Sequence, residues 1–204
     1  MHVAIKILIG VGIATVLIAI VVIPVGVTVA SGSSSNSTGS SSGGSSSSGA
    51  LLYGVRKNLM SSSLGNSWSL CYSRTYATLM SSSTLLTTLT ICNKSRLLLG
   101  CRAIGSSNLL VAAMGDRSDV LYNCGVTSSC KRVANGVSWY YSSMLSWGFA
   151  SGTDTVNRNP CDISTTNPSE RLCWITTNNG GYRCGSMTGL QTSTSYEKVI
   201  YHSD

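Results

Sequence analysis

The hydrophobic and polar positions divide the chain into three stretches. Residues 7–30 (ILIGVGIATVLIAIVVIPVGVTVA) contain no charge, and residues 31–49 are almost entirely Ser and Gly. From Ala50 onward, short apolar runs alternate with turn residues. This pattern predicts a short inside tail at 1–6, a transmembrane helix at 7–30, a flexible stalk at 31–49 and a folded domain at 50–204.

The apolar stretch at 7–30 is long enough to cross a membrane as a helix. At a rise of about 1.5 Å per residue it spans roughly 36 Å, more than the ~30 Å hydrocarbon core of a bilayer. A cleaved signal peptide is the alternative, with its cleavage site after Ala30, but its apolar region is usually shorter. The length favours an uncleaved signal-anchor. Lys6 precedes the span and Arg56 is the next charge, so the positive-inside rule places the N-terminus inside and the domain outside.

The Ser/Gly stretch predicts a flexible spacer. A Gly/Ser coil of nineteen residues has an end-to-end distance of roughly 24 Å. Asn36 begins an Asn-Ser-Thr sequon and Asn93 an Asn-Lys-Ser sequon, which predicts two N-glycosylation sites if the chain is secreted by a glycosylating host. The spacer would hold the folded domain away from the membrane.

Strand signals dominate the domain. Apolar runs of strand length, separated by Gly, Ser and Asn, are predicted at 68–72, 96–104, 109–114, 120–122, 137–149 (two strands), 171–176, 181–184 and 195–202. Asn178 to Gly181 is a strong turn signal between the strands at 171–176 and 181–184. Leucines at residues 75–90 follow a loose helical period. The predicted fold class is an all-β, disulfide-rich, β-sandwich or jelly-roll-like ectodomain with room for one short helix.

Eight cysteines, all located after the stalk, predict a disulfide framework in an oxidising compartment: Cys71, Cys92, Cys101, Cys124, Cys130, Cys161, Cys173 and Cys184. Cys124 and Cys130 are six residues apart and are predicted to pair. A zinc site is disfavoured, because no C-x2-C motif is present and the only histidines are His2 and His202.

Charge and residue types disfavour nucleic-acid binding and catalysis. The net charge is +7, but the basic residues are scattered rather than clustered as in nucleic-acid-binding proteins. The domain has a single histidine near its end, and no phosphate loop or dinucleotide motif. We expect no cofactor and no enzymatic activity. Asp116 and Asp119 are the weak candidates for calcium ligands, and a carboxylate pair acting on a glycosidic bond is the remaining enzymatic alternative.

Aromatic residues are the strongest candidates for a binding surface. Five of them fall in or beside the predicted strands at 137–149 and 171–184: Trp139, Tyr141, Trp147, Trp174 and Tyr182. Exposed Trp and Tyr side chains stack on sugar rings or anchor protein interfaces. Packing in the core is the competing interpretation for each of them.

Taken together, these features predict a single-pass membrane protein that displays a non-enzymatic recognition module for a glycan or a cell-surface protein. The domain would lie outside a cell or on a virion surface, and the protein would be secreted if the N-terminal segment were cleaved. A structural coat component of a cell or virion envelope is the main alternative. Self-association through Gly10 and Ala14, a small-xxx-small pattern, is a further expectation.

Overall fold

The computed structural model describes residues 51–177 and 180–204. Within those residues, no helix combines the length and apolar character needed to cross a lipid bilayer. The predicted tail, transmembrane helix and stalk, with Asn36, lie outside the described residues, as do Asn178 and Asn179 of the predicted turn.

The described chain is mostly β-structure, as predicted. Its ten strands are β1 (Arg56–Met60), β2 (Ser69–Thr75), β3 (Arg96–Ala103), β4 (Asn108–Asp116), β5 (Arg132–Ala134), β6 (Val137–Tyr140), β7 (Ser146–Ser151), β8 (Leu172–Ile175), β9 (Gly181–Cys184) and β10 (Tyr196–Ser203). Two helices accompany them, α1 (Ser82–Ile91) and α2 (Arg117–Val120). Three short 3-10 turns occur at Ser61–Leu64, Pro168–Glu170 and Leu190–Thr192.

The strands form two five-stranded antiparallel sheets. The first sheet has the order β1-β4-β3-β10-β2 and the second the order β5-β6-β7-β8-β9. Consecutive strands of the second sheet are neighbours. The connection from Ala134 to Val137 is short, whereas the connection from β7 to β8 spans residues 152–171. A jelly-roll-like order has strands that alternate between the sheets, whereas here β5 to β9 all belong to the second sheet.

A single hydrophobic core lies between the two sheets. Alternate residues of β3, Leu97 and Leu99, share one buried cluster with Trp139, Trp147 and Phe149 of the second sheet. Residues in between face the other way: Leu98 belongs to a separate cluster on the outer side of the first sheet. That alternation is the period of two expected of a strand.

The outer side of the second sheet is also buried. Tyr140, Ala150 and Ile175 form a third cluster with residues such as Val156, which lies in the segment between β7 and β8. Every residue of β6 and β8 is therefore buried. When both faces of a strand are covered, the alternation of polar and apolar residues along it no longer shows which side chains are exposed to solvent.

Four disulfides connect all eight cysteines, which confirms the predicted framework. The pairs are Cys71–Cys92, Cys101–Cys184, Cys124–Cys130 and Cys161–Cys173. Cys101 lies in β3 and Cys184 in β9, so this disulfide joins the two sheets covalently. Cys71–Cys92 joins β2 to the residue that follows α1.

Three local predictions differ from the structure. The helix expected from 75 to 90 begins at Ser82, because β2 continues to Thr75 and the backbone of Tyr76 is bonded to Gly181 in β9. Residues 120–122 were expected as a strand, but Val120 ends α2 and Leu121 caps it. Strands β1 and β5 were missed, and both are edge strands with mostly exposed residues.

Candidate functional site

The predicted aromatic platform is not formed by the tryptophans. Trp139, Trp147 and Trp174 have 0% exposure. Trp147 packs edge-on against Trp174, with ring centroids 5.5 Å apart, in a geometry favoured by aromatic quadrupoles. All three side chains face the core between the two sheets, so none of them is exposed to a ligand. They act in the core.

The two predicted tyrosines lie on opposite faces of the second sheet. Tyr141 is half-buried against the inter-sheet core, with its ring 5.6 Å from that of Trp147. Tyr182 is half-buried against the cluster on the outer side. The five aromatic side chains therefore do not come together on one surface.

The aspartates predicted as weak calcium ligands form ion pairs with arginines. Asp116 lies 4.0 Å from Arg96, and Asp119 accepts from Arg132 at 2.9 Å. Across residues 51–177 and 180–204, no group of three or more metal-ligating side chains is found. The predicted sequon residue Asn93 is exposed just after α1.

Every acidic residue of the chain has an Arg or Lys partner. The sequence contains seven acids, and ion pairs hold Glu170, Asp204, Asp116, Glu197, Asp119, Asp154 and Asp162. A general acid or base needs a carboxyl group that is free to exchange a proton with substrate. Asp154 and Asp162 are buried in their ion pairs, whereas Asp116 and Asp204 are 60% and 75% exposed.

The most deeply buried of these pairs form a cluster behind the second sheet. The guanidinium of Arg171 donates to Asp162 at 2.5 Å and to Asp154 at 3.0 Å, and the exposure of all three side chains is 4% or less. Arg183 donates to the backbone oxygens of Asp162 and Ser164 at 3.0 and 2.7 Å. The charged groups of this ion cluster are paired with one another inside the protein, so we interpret the cluster as a structural feature of the fold.

An open groove lies elsewhere, between α1 and the edge strand β2. Its volume is about 350 Å³. Its lining combines hydroxyl, apolar and basic side chains: Tyr72, Arg74, Thr78, Leu79, Ser83, Thr84, Thr87, Thr88 and Ile91. We call it the α1–β2 groove. Residues at i and i+4, such as Ser83 with Thr87 and Thr84 with Thr88, place one helix face along it.

Covalent and capping interactions hold the two walls of the groove. The Cys71–Cys92 disulfide ties β2 to the end of α1. At the other end, the hydroxyl of Ser81 accepts from the backbone N–H of Thr84 at 3.3 Å, which is an N-cap. The side chain of Leu85 turns inward and is 1% exposed, so α1 is also anchored in the core.

A buried lysine holds the segment that leads into the groove. Lys198 of β10 has 0% exposure, and its ammonium donates to the backbone oxygens of Thr75, Tyr76 and Thr78 at 2.9, 3.5 and 2.6 Å. Burial lowers the pKa of Lys198 to about 7. Lys198 is thus a positioning residue for Thr78, which lines the groove.

One polar group of the groove has no partner within the described chain. The hydroxyl of Tyr72 is buried and makes no hydrogen bond to any described residue. Burial raises the pKa of Tyr72 to about 12, against the opposing effect of the Arg74 charge, so the phenol is neutral and able to donate. Buried polar groups are normally paired, and an unpaired one calls for an explanation.

The sequence contained a weak signal for this groove that the aromatic pattern obscured. From Thr75 to Asn93 the chain has no charged residue, and hydroxyl side chains are frequent. Ser and Thr are poor helix formers, so their concentration in α1 suggests a role other than helix stability.

Comparison of the chain with family models, curated proteins and solved structures gave no match.

Proposed function

We propose that the domain is a non-enzymatic recognition module that binds a carbohydrate in the α1–β2 groove. The observation that carries this proposal is the groove itself, whose volume of about 350 Å³ is within the range of small-ligand sites. Its side chains offer hydroxyl groups to hydrogen-bond sugar hydroxyls, and Leu79 and Ile91, 55% and 56% exposed, offer apolar contacts to ring faces.

The same proposal includes display at a membrane surface. The uncharged stretch at 7–30 supports an anchor, the Ser/Gly stretch at 31–49 supports a stalk, and four disulfides favour an oxidising compartment outside the cell. N-terminal sequencing of the mature protein and carbonate extraction of membranes test this arrangement. A mature chain that begins after Ala30 and washes off the membrane would favour secretion instead.

The ion pairs support a binding role over the glycosidase alternative. A carboxylate-based glycosidase places two acids across a cleft, whereas no acidic side chain lines the α1–β2 groove. The sugar would be held and released unchanged. Product analysis of any bound oligosaccharide would reveal cleavage if it occurred.

Binding to a panel of neutral and acidic glycans tests the proposal. The full chain, oxidised and kept in detergent micelles, is compared with Thr87→Tyr and Thr90→Tyr. Both threonines are exposed on α1 and donate to the carbonyl four residues earlier, but only Thr87 lines the groove.

We expect Thr87→Tyr to weaken glycan binding by at least about tenfold, equivalent to ~1.4 kcal/mol, and Thr90→Tyr to bind like the parent. A correctly disulfide-bonded parent that binds no glycan would contradict the proposal. Equal losses in both variants would place the ligand elsewhere.

A structural coat component remains the second candidate because large apolar side chains are exposed. Leu86, Val126 and Met144 are 71%, 67% and 61% exposed. Such residues become buried if copies of the chain pack side by side. Crosslinking on the native surface distinguishes the two: a regular ladder of oligomers favours a coat, and its absence favours recognition.

A further inference from the structure

We propose that the α1–β2 groove selects an acidic sugar, whose carboxylate pairs with Arg74 while a neighbouring oxygen accepts a hydrogen bond from Tyr72. This inference rests on the proposed carbohydrate function and names its ligand class. It assigns Arg74 and Tyr72 as the specificity-determining residues.

Among the described residues that line the groove, Arg74 is the charged one. It is exposed and, within the described residues, it has no carboxylate partner. Its guanidinium donates to the backbone oxygen of Ser73 at 2.8 Å. All the acidic residues form ion pairs with arginine or lysine residues other than Arg74. A guanidinium matches the planar shape of a carboxylate and can bind it through two parallel hydrogen bonds.

Lys198, the other nearby cation, is not free to play this part. It faces Arg74 directly across the β10–β2 pairing, but its ammonium is engaged by three backbone oxygens. Its charge is therefore used within the fold. Arg74, on the edge strand, is the cation left for a ligand.

Tyr72 supplies a hydrogen-bond donor on the same side of the strand. Tyr72 and Arg74 are two residues apart in β2 and pair with Ile200 and Lys198, so their side chains share one face. A buried donor without a partner costs about 1–3 kcal/mol. An acceptor oxygen on a ligand beside Arg74 would remove that cost.

The remaining lining favours a sugar over other carboxylates. Hydroxyl groups of Ser83, Thr84 and Thr87 follow one wall, and apolar Leu79 and Ile91 complete the lining. Thr87 already donates to the backbone oxygen of Ser83, but its oxygen can still accept a hydrogen bond from a sugar hydroxyl, which the chain of a fatty acid lacks. A sugar ring with several hydroxyl groups and one carboxylate can contact the hydroxyl, the apolar and the basic side chains of the groove.

The experiment measures equilibrium binding of the full chain in detergent micelles to four probes: a sialylated lactose, lactose itself, a glucuronate-terminated disaccharide and a sulfated lactose. The variants are Arg74→Gln, Arg74→Lys and Tyr72→Phe. Arg56→Gln is the matched control, since Arg56 is an exposed arginine of β1, at the opposite edge of the first sheet. All samples are compared after their disulfide content has been verified.

We expect the two carboxylated probes to bind at least about tenfold more tightly than lactose. Arg74→Gln should remove this preference, Arg74→Lys should keep part of it, and Arg56→Gln should leave it unchanged. Tyr72→Phe should weaken binding of the carboxylated probes about fivefold to tenfold, as expected for the loss of one hydrogen bond.

The possible outcomes separate this inference from the function on which it rests. Equal binding of lactose and the carboxylated probes, lost in Thr87→Tyr, would overturn the acidic ligand while leaving carbohydrate binding in place. Equal losses in Arg74→Gln and Arg56→Gln would reduce the effect to general charge attraction. Preference for the sulfated probe would overturn the carboxylate assignment, and no binding to any probe would overturn both proposals.

Discussion

Two polar regions of this domain make opposite use of their polar groups. Behind the second sheet, Arg171, Asp154 and Asp162 are buried and satisfy one another. In the α1–β2 groove, by contrast, Arg74 is exposed without a carboxylate partner among the described residues and the hydroxyl of Tyr72 is buried without a hydrogen bond. The first region is closed and complete. The second leaves donors unused on a concave surface.

The contrast shows how a polar cluster that stabilises the fold differs from a polar site that is available to a ligand. A complete ion cluster fixes the segments that it joins, and breaking it harms folding. Unused donors beside a groove add nothing to stability, and they are available to a ligand.

The largest effect is expected from Arg171→Met. The change leaves two buried carboxylates without their cation, which should lower the free energy of unfolding by about 3–5 kcal/mol. Urea denaturation without reductant measures it. Arg132→Met is the control, because its ion pair with Asp119 is at the surface, its own side chain being 55% exposed, and should cost less than about 1 kcal/mol. Similar losses in the two variants would contradict the view of the cluster as architecture.

The next effect concerns the disulfide that ties α1 to β2. Replacing Cys71 and Cys92 together by Ala opens a loop with a sequence separation of 21 and should lower the free energy of unfolding by about 3 kcal/mol. It should also weaken ligand binding, because one wall of the groove is released. The double variant Cys124→Ala with Cys130→Ala, with a separation of 6, should cost about 2 kcal/mol and leave binding intact.

Binding measured on folded protein decides whether the Cys71–Cys92 disulfide serves the groove. A variant lacking it that binds with the affinity of the parent would show that core packing of α1 alone holds the walls. Thermal denaturation of both double variants supplies the stability values.

The sequence was informative where local pattern and turn chemistry agree. The runs around Leu97, Leu109 and Val199 appear as β3, β4 and β10, and the strands predicted at 171–176 and 181–184 appear as β8 and β9. In the second sheet, the alternation of polar and apolar residues does not predict which side chains are exposed to solvent. Ser138 and Ser146 are fully buried, so a small polar residue there marks a covered face and not a solvated one.

The groove was not predictable from the sequence because it depends on contacts between distant segments. Lys198 bonds to Thr75, Tyr76 and Thr78 from more than a hundred residues away. No local period encodes that contact. The charge-free run that precedes Lys94 was visible, but its meaning required the position of β2 beside α1.

Lys198→Met should change the pH dependence of stability. Burial lowers the pKa of Lys198 to about 7 in the folded protein, against about 10.4 in the unfolded chain. Between these values the unfolded state binds more protons, so this group makes stability rise with pH from 7 to about 10 and adds no slope below 7.

The Met variant should lose this contribution, which amounts to at most about 1.4 kcal/mol per pH unit. Urea denaturation of the parent and the variant at pH 6, 7, 8 and 9 gives the difference directly. Parallel curves would show that the three backbone oxygens keep Lys198 charged across the whole range.

The smallest expected change in stability, and the sharpest test of the comparison, comes from a matched pair of Tyr→Phe variants. Tyr140 is buried and donates to the backbone oxygen of Leu172 at 2.8 Å, so Tyr140→Phe should cost about 1–3 kcal/mol by leaving that oxygen unpaired. Tyr72→Phe removes a hydroxyl that makes no bond within the described protein, so stability should be unchanged or should rise by up to about 1 kcal/mol. Urea denaturation of both variants, together with binding of the carboxylated probes, separates the roles. A Tyr72→Phe variant that is destabilised like Tyr140→Phe would show that its hydroxyl serves the fold, whereas an equally stable variant with weakened binding would show that the protein keeps this group for its ligand.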